Sequence, residues 1–364
     1  MEFDLIDEGS YEQIMQQTVL PALEHCKREG WIRSYNPDVG QSSSTHKAAV
    51  HAAGAGLGNF HYICYESARF DELAMPGSQG RHQGLVIISH GFTEFAGKYT
   101  EMAWYFLLAG YTVCIIEYWG HGLSGRGISD PNLVWVDSYK RYVEDLAVFC
   151  QEMEAAYAGD QQVCLYAHSM GGGIAASLME THPTLIDRAV LSSPMIAPQT
   201  GVPLRFASAV LDAACAMGMG QQKVPGHHRF KPEFDPHSVG KASPARMKWI
   251  HGQRLACSEY QTSAATYGWV QQAIALSRSI LKKGLCEQVE ASTLLFQAGS
   301  DSFVLPGPQE RFVEQVKAGG CDINFVRIAH ASHELYTMPN EILGPYVNRI
   351  LDFFAQTETF SAGN

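Results

Sequence analysis

The chain has 364 residues and a formal net charge of −11, with 46% hydrophobic and 17% charged residues. This composition excludes a disordered chain, argues against a nucleic-acid surface, and leaves any lipid contact to apolar rather than basic groups. The length fits one large α/β domain with an insertion, or two modest domains.

The first residues, MEFDLIDEGSYEQIMQQTVL, are acidic and lack the basic start and continuous apolar run of a secretory signal, so a cytoplasmic location is expected. Tyr11, Ile14, Met15, Val19, Leu20 and Leu23 recur at helical spacing and predict a helix over 11–30 ending near Gly30. A polar, Ser/Gly-rich stretch over 36–58 reads as a linker, which makes 1–59 an N-terminal helical extension and linker. Apolar runs of strand length follow at 85–89, 111–116, 162–167, 187–192, 292–298 and 322–328. Each is too uniformly apolar for one wet face, so the sheet is expected to be covered on both sides. Helical patterns at 97–109, 138–157, 170–181, 306–318 and 340–356 separate these runs. The alternation implies right-handed crossovers and a mostly parallel sheet.

About a hundred residues separate the fourth run from the fifth. They predict a mainly helical cap over 195–291, inserted into a core of 60–194 and 292–364. Within it, 203–219 contains Arg205 and Asp212 and is too short to span a bilayer, so it reads as a buried or amphipathic helix. The nine cysteines occur singly, with no C-x-x-C pair, and read as reduced packing residues. His227 and His228 have no second cluster of ligand types nearby, so no metal site is expected.

In an open parallel sheet, ligands bind beyond the carboxyl ends of the strands. Four exits carry reactive groups there: SHGFTEFAGKY (89–99), AHSMGG (167–172), AGSDSFV (298–304) and HASHEL (330–335). Ser169 lies between the apolar VCLYA and the helical GGGIAASLMETH, the context of a strained nucleophile turn whose flanking positions, Ala167 and Gly171, must be small. An inert serine at a tight strand-to-helix junction has the same neighbours. A neutral serine needs a base, commonly an imidazole oriented by a carboxylate. His333 and Asp301 leave strands on the same rim, with His330 only three residues from His333. The SSPMIAP exit after Ser192 offers no competing acid. Two donors are needed for a developing oxyanion: the Met170 N–H at a helix start, and the Phe92 N–H after His90 and Gly91. A plain glycine turn is the other reading of the latter.

Together, HGFTEFAGKY (90–99), GHGLSGRG (120–127), HSMGG (168–172) and the HE pair at 333–334 resemble the monoacylglycerol lipase and lysophospholipase branch of the α/β-hydrolases. DPNLVWVDSYKRYVEDL (130–146) and SPARMKWIHGQRLACSEYQTSAATYGWVQQAI (243–274) are similar to bacterial lysophospholipases of the lecithinase B type. The resemblance runs from about residue 60 to the C-terminus. It implies an α/β-hydrolase fold with a helical cap, Ser169 as nucleophile, Asp301 as acid, His333 as base, and Phe92 and Met170 as oxyanion donors, supported by the His90–Gly91 and Ala167–His168 turns.

It further implies a monoacyl lipid substrate, first a lysophospholipid, with no cofactor, no metal and no nucleic acid. Peripheral contact with the inner membrane face and the oligomeric state stay open. Val202–Met219 and Tyr267–Leu281 are the segments expected to line an acyl tunnel, or else ordinary helix-packing faces. Three positions depart from the branch: Glu117 and Trp119 replace the acid and arginine before GHG, and Ala265 replaces a proline beside Thr266. Other outcomes for the same site are a monoacylglycerol lipase, an acyltransferase, a peptidase, amidase or thioesterase, or a binder without catalysis.

Overall fold

The computed structural model describes residues 4–37 and 58–356, so most of the expected linker lies outside the described residues. Among them, eight strands build one sheet: β1 (Lys27–Arg33), β2 (Asn59–Tyr65), β3 (Gly84–Ser89), β4 (Tyr111–Glu117), β6 (Val163–His168), β7 (Arg188–Ser192), β9 (Ser292–Ala298) and β10 (Ile323–Ile328). Two short strands, β5 (Leu133–Val134) and β8 (Ala264–Ala265), pair separately. The main sheet runs β1-β2-β4-β3-β6-β7-β9-β10, with β1–β2 and β2–β4 antiparallel and every other pair parallel.

The helices before Ser169 are α1 (Tyr11–Ile14), α2 (Leu20–Cys26), α3 (Ser67–Asp71), α4 (Thr100–Leu108) and α5 (Tyr139–Met153). After it come α6 (Met170–Thr181), α7 (Leu204–Ala216), α8 (Pro244–Ala256), α9 (Tyr267–Ile280), α10 (Pro306–Ala318) and α11 (Asn340–Phe354). Side chains alternate across each central strand. In β3, Leu85 and Ile87 join the core under α5, α6, α9 and α10, while Val86 and Ile88 join the core under α2, α4 and α11. Both faces are therefore covered, as the uniformly apolar runs require.

Two expectations are corrected. The N-terminal helix does not reach Gly30: it ends at Cys26, and Lys27–Arg33 becomes β1 on the sheet edge. Pro21 has no N–H to give to the preceding turn, and that turn widens over Met15–Val19 before α2 begins. Gly30 then passes under Tyr62 of β2, where a Cβ would come within 2.7 Å of the tyrosine oxygen. The last strand, β10, is not covered on both faces either. It is the opposite edge, and Asn324, Phe325 and Arg327 are exposed.

The insertion between β7 and β9 has parts with different anchorage. α9 buries Trp269, Ala273, Leu276 and Ile280 in the same core as α5 and α6. Its first turn is capped by Thr266, whose hydroxyl accepts from Trp269 N–H (3.2 Å) and donates to the Val134 carbonyl (2.8 Å). α8 is held by Arg246, whose guanidinium is bidentate to the buried Glu101 (2.8 Å each) and bonds Asn340 (2.7 Å). α7 instead packs on α9 through Ala207 and Leu211 and leaves Phe206, and Met217 just past its end, 62% and 70% exposed. No helix among the described residues is long and apolar enough to cross a membrane.

Candidate active site

β6 delivers Ser169 and α6 begins at the next residue, so the chain must turn within one position. Ser169 takes φ +50° and ψ −117°, a conformation that an L-residue with a side chain rarely adopts. Its N–H is held by the Ser192 carbonyl (3.0 Å), and its carbonyl accepts from the Gly173 and Met195 N–H groups. Three of the four described non-glycine residues with positive φ, namely Thr93, Ser169 and Ser193, stand at strand exits on this rim. Strain of this kind persists only where the surroundings enforce it. The enforcement is close packing: a Cβ on Gly171 would lie 2.2 Å from the Ser89 carbonyl oxygen, and one on Gly172 would lie 2.7 Å from Pro194.

Ser169, His333 and Asp301 meet. Ser169 Oγ is 2.7 Å from His333 Nε2, and His333 Nδ1 is 2.7 Å from Asp301 Oδ2. The other Asp301 oxygen accepts from the N–H groups of Phe303 (2.8 Å) and Val304 (3.1 Å). Burial pushes the Asp301 carboxyl up, but the His333 ring and those two N–H groups outweigh it and hold it below the usual carboxylate range. An ionised Asp301 accepts only, so the His333 proton sits on Nδ1 and Nε2 is free to accept from the serine hydroxyl. His330, the neighbouring alternative, is exposed and offers its carbonyl to Lys241 (3.0 Å).

Met170 is the first residue of α6, so its N–H has no acceptor within the helix. The Phe92 N–H is aimed through its own peptide plane. His90 Nε2 accepts from Tyr118 N–H (3.1 Å), which leaves Nδ1 to donate to the Gly91 carbonyl (2.7 Å). Carbonyl and N–H point oppositely across a trans peptide, so fixing Gly91 O turns Phe92 N–H the other way. Burial lowers the His90 pKa, consistent with that neutral tautomer. The Phe92 ring packs against Trp269 of α9 at 3.9 Å between centroids.

Several residues that hold these groups were read in the sequence only as family marks. Glu94 is almost fully buried and accepts from Gly91 N–H (2.5 Å), Tyr99 OH (2.5 Å), Tyr336 OH (2.6 Å) and Lys98 Nζ (2.8 Å). Burial opposes its ionisation, but the Lys98 ammonium and these donors hold the carboxyl well below its usual range. Lys98 also pairs with Glu334 (2.7 Å), so one buried chain of charge links the loop carrying Phe92 to the loop carrying His333. His168 donates toward the Ser192 carbonyl (3.2 Å), and burial lowers its pKa to about 4, which keeps it neutral beside the reacting groups.

Glu117 takes His61 as its partner (2.9 Å) in place of the arginine usual before GHG, and it also accepts from the Ala96 and Leu123 N–H groups (2.8 Å each). Among the described residues no group of three His, Cys, Asp or Glu side chains is arranged to hold a metal ion.

A cavity of about 500 Å³ opens above Ser169 and His333. Val202, Phe206, Val210 and Leu211 from the α7 segment, Val270 and Trp269 from α9, and Phe303 supply apolar wall. Glu94, His168, His227 and Glu334 supply the polar part. The segments expected to line a tunnel do so only in part, since Met217 and the C-terminal half of α9 are not in the wall. A hydroxyl bonded to an imidazole that a carboxylate orients, under a cavity of a volume typical of small-ligand sites, can attack a carbonyl, and the Phe92 and Met170 N–H groups are the candidates to stabilise the resulting alkoxide.

The parallel sheet with its antiparallel edge, the strained serine turn at the end of β6 and the inserted helices define the α/β-hydrolase fold. A family model described as "Serine aminopeptidase, S33" matches residues 80–340. The chain belongs to that family and is a serine hydrolase, related to the monoacylglycerol lipase and lysophospholipase branch. Lysophospholipase L2 of Escherichia coli (strain K12) is 28% identical over 287 residues, which cover 75% of this chain and 81% of that protein. In fold, the chain is similar to a Paleococcus ferrophilus monoacylglycerol lipase (TM-score 0.57, 20% identity, 76% of this chain and 95% of that one). It is also similar to a thermostable carboxyl esterase from Bacillus coagulans (TM-score 0.63, 16% identity, 90% and 97%).

Proposed function

We propose that the chain is a carboxylic ester hydrolase that releases a fatty acid from a monoacyl lipid, a lysophospholipid before a monoacylglycerol. The observation that carries this reading is the unbroken line Asp301–His333–Ser169 under a largely apolar cavity. Ser169 Oγ attacks the ester carbonyl while His333 Nε2 takes its proton and Asp301 steadies the imidazolium. The alkoxide forms between the Phe92 and Met170 N–H groups, where losing one donor costs about 3 kcal/mol of transition-state stabilisation. His333 returns the proton to the leaving glycerol oxygen, and water activated by the same ring then releases the fatty acid. No metal or organic cofactor takes part in these steps.

The lipid assignment draws support from the wall contributed by α7. Each acyl CH₂ buried there adds about 0.8 kcal/mol, so long chains are favoured over short ones. The Escherichia coli relative, aligned over 81% of its length, is named a lysophospholipase, which supports that headgroup class. Exposed Val202, Phe206, Val210 and Met217 support peripheral contact with lipid aggregates, at the inner face of the membrane for a cytoplasmic protein.

The test is a substrate panel run with the wild type and Ser169→Ala: lysophosphatidylethanolamine, monoacylglycerol, short-chain esters and aminoacyl amides. Long-chain monoacyl esters cleaved fastest, with all activity lost in Ser169→Ala, is the expected result. Faster cleavage of aminoacyl amides moves the reading to a peptidase. Failure of the wild type to react with a fluorophosphonate moves it to a binder.

A further inference from the structure

One stretch of the insertion, KVPGHHRFK (223–231), carries Lys223, Arg229 and Lys231, two histidines and no carboxylate, in a chain whose net charge is −11. Val224, Pro225 and His227 from this stretch line the cavity above Ser169. It is clamped there by main-chain bonds. Lys223 bridges Thr266 in antiparallel fashion, and Val224 N–H donates to the Ala265 carbonyl (3.1 Å).

Ala265 N–H in turn donates to His227 Nδ1 (3.1 Å). A ring nitrogen that accepts is unprotonated, so the His227 proton lies on Nε2. Among the described residues no protein group takes up that Nε2–H. Lys223 Nζ donates to the carbonyls of His227 (2.6 Å) and Val224 (3.3 Å), which holds its charge at the same turn of chain. The cavity also holds the carboxylates of Glu94 and Glu334. Those two share the single Lys98 ammonium and Arg229 is paired with Asp130, so an anionic group is disfavoured beside the two carboxylates and drawn to Lys223, whose ammonium meets only carbonyl oxygens among the described residues. A monoacylglycerol carries no such group; a lysophospholipid carries one, its phosphodiester.

We infer that His227 Nε2–H, backed by the Lys223 ammonium, receives a phosphodiester oxygen of the headgroup when the ester lies at Ser169, and that this contact selects lysophospholipids over monoacylglycerols. The inference rests on the reading in the preceding subsection and adds the residue that discriminates its two substrates. The triad supplies chemistry common to both lipids, whereas His227 sees only the one with a charge.

The experiment compares kcat/KM on 1-acyl lysophosphatidylethanolamine and on the 1-monoacylglycerol of the same chain. His227→Ala lowers the lysolipid value about tenfold, chiefly through KM, the equivalent of about 1.4 kcal/mol. It leaves the monoacylglycerol value within about twofold, and His227→Gln, which keeps an N–H near the Nε2 position, recovers most of the loss. Parallel losses on both lipids, or none on either, overturn the inference.

A second measurement does not depend on turnover. An ether-linked lysophospholipid slows fluorophosphonate labelling of Ser169 in the wild type, with about tenfold weaker protection in His227→Ala. Equal protection in the two proteins overturns the inference, and so does equal protection by inorganic phosphate, which would make the site one for a free anion. If the wild type hydrolyses neither lipid, the proposed function fails while this protection assay still decides the role of His227.

Discussion

Gly171→Ala is a severe test of how the nucleophile turn is built, because it adds one carbon and touches no reacting group. That carbon would sit 2.2 Å from the Ser89 carbonyl oxygen and 2.6 Å from that of His90. A C···O contact relaxes at about 3.3 Å, so the start of α6 must retreat by about 1 Å. Both obstacles are main chain and cannot rotate aside. Overpacking of this kind costs about 1–3 kcal/mol of stability. In the proposed mechanism the shift also moves the Met170 N–H away from the oxyanion, and a 1 Å misplacement at a reacting centre costs about 100-fold in rate. Urea unfolding should therefore show a loss of about 2 kcal/mol, and the fluorophosphonate labelling rate should fall about 100-fold with all three triad side chains present. Gly252→Ala in α8, whose added carbon meets nothing within 4 Å, is the matched control and should stabilise by about 0.5–1 kcal/mol. A Gly171→Ala protein with native stability and labelling rate would refute the close-packing account of the turn.

Ser169→Gly should be more stable than Ser169→Ala by about 1 kcal/mol in thermal unfolding, because φ +50° strains any residue with a Cβ, and both should be inactive. Burial raises the Glu180 carboxyl from the ordinary 4.5 to about 8. Between those values the folded chain keeps a proton that the unfolded chain has lost, so this group's contribution falls as pH rises through the window. Glu180→Gln should accordingly stabilise at pH 8, by at most about 5 kcal/mol, and far less at pH 5, read from paired denaturation curves. Arg246→Ala leaves Glu101 buried without its guanidinium and should cost about 3–5 kcal/mol, measured by urea unfolding. Met217→Glu, on the exposed face of the α7 segment and outside the cavity wall, should weaken vesicle binding in sedimentation assays while leaving hydrolysis of a soluble ester unchanged.

Much of the architecture could be read from runs of neighbouring residues. The apolar stretches that became β3, β4, β6 and β7 announce a doubly covered sheet, because a strand buried on both faces has no polar side to show. The order Ser169, Asp301, His333 at successive strand exits is likewise a local pattern repeated three times, and the fold brings those residues together. Lys27–Arg33 was missed because helical spacing continues through α2, and only pairing with β2, thirty residues on, converts the following segment into a strand. β10 reads as a buried strand from its residues, but among the described residues no strand pairs with its outer side, and chain order alone does not reveal where a sheet stops.

The residues that hold Ser169, His333 and their neighbouring loops in place are the least legible. Glu94 is 240 positions from Glu334, yet Lys98 joins them, and His227 gains its free proton only because Ala265 N–H occupies its other nitrogen. Periodicity and turn chemistry are written in adjacent residues, so sequence carries them directly. Hydrogen-bond direction and charge pairing depend on which distant segments the sheet register sets side by side, and that is decided only when the whole chain packs.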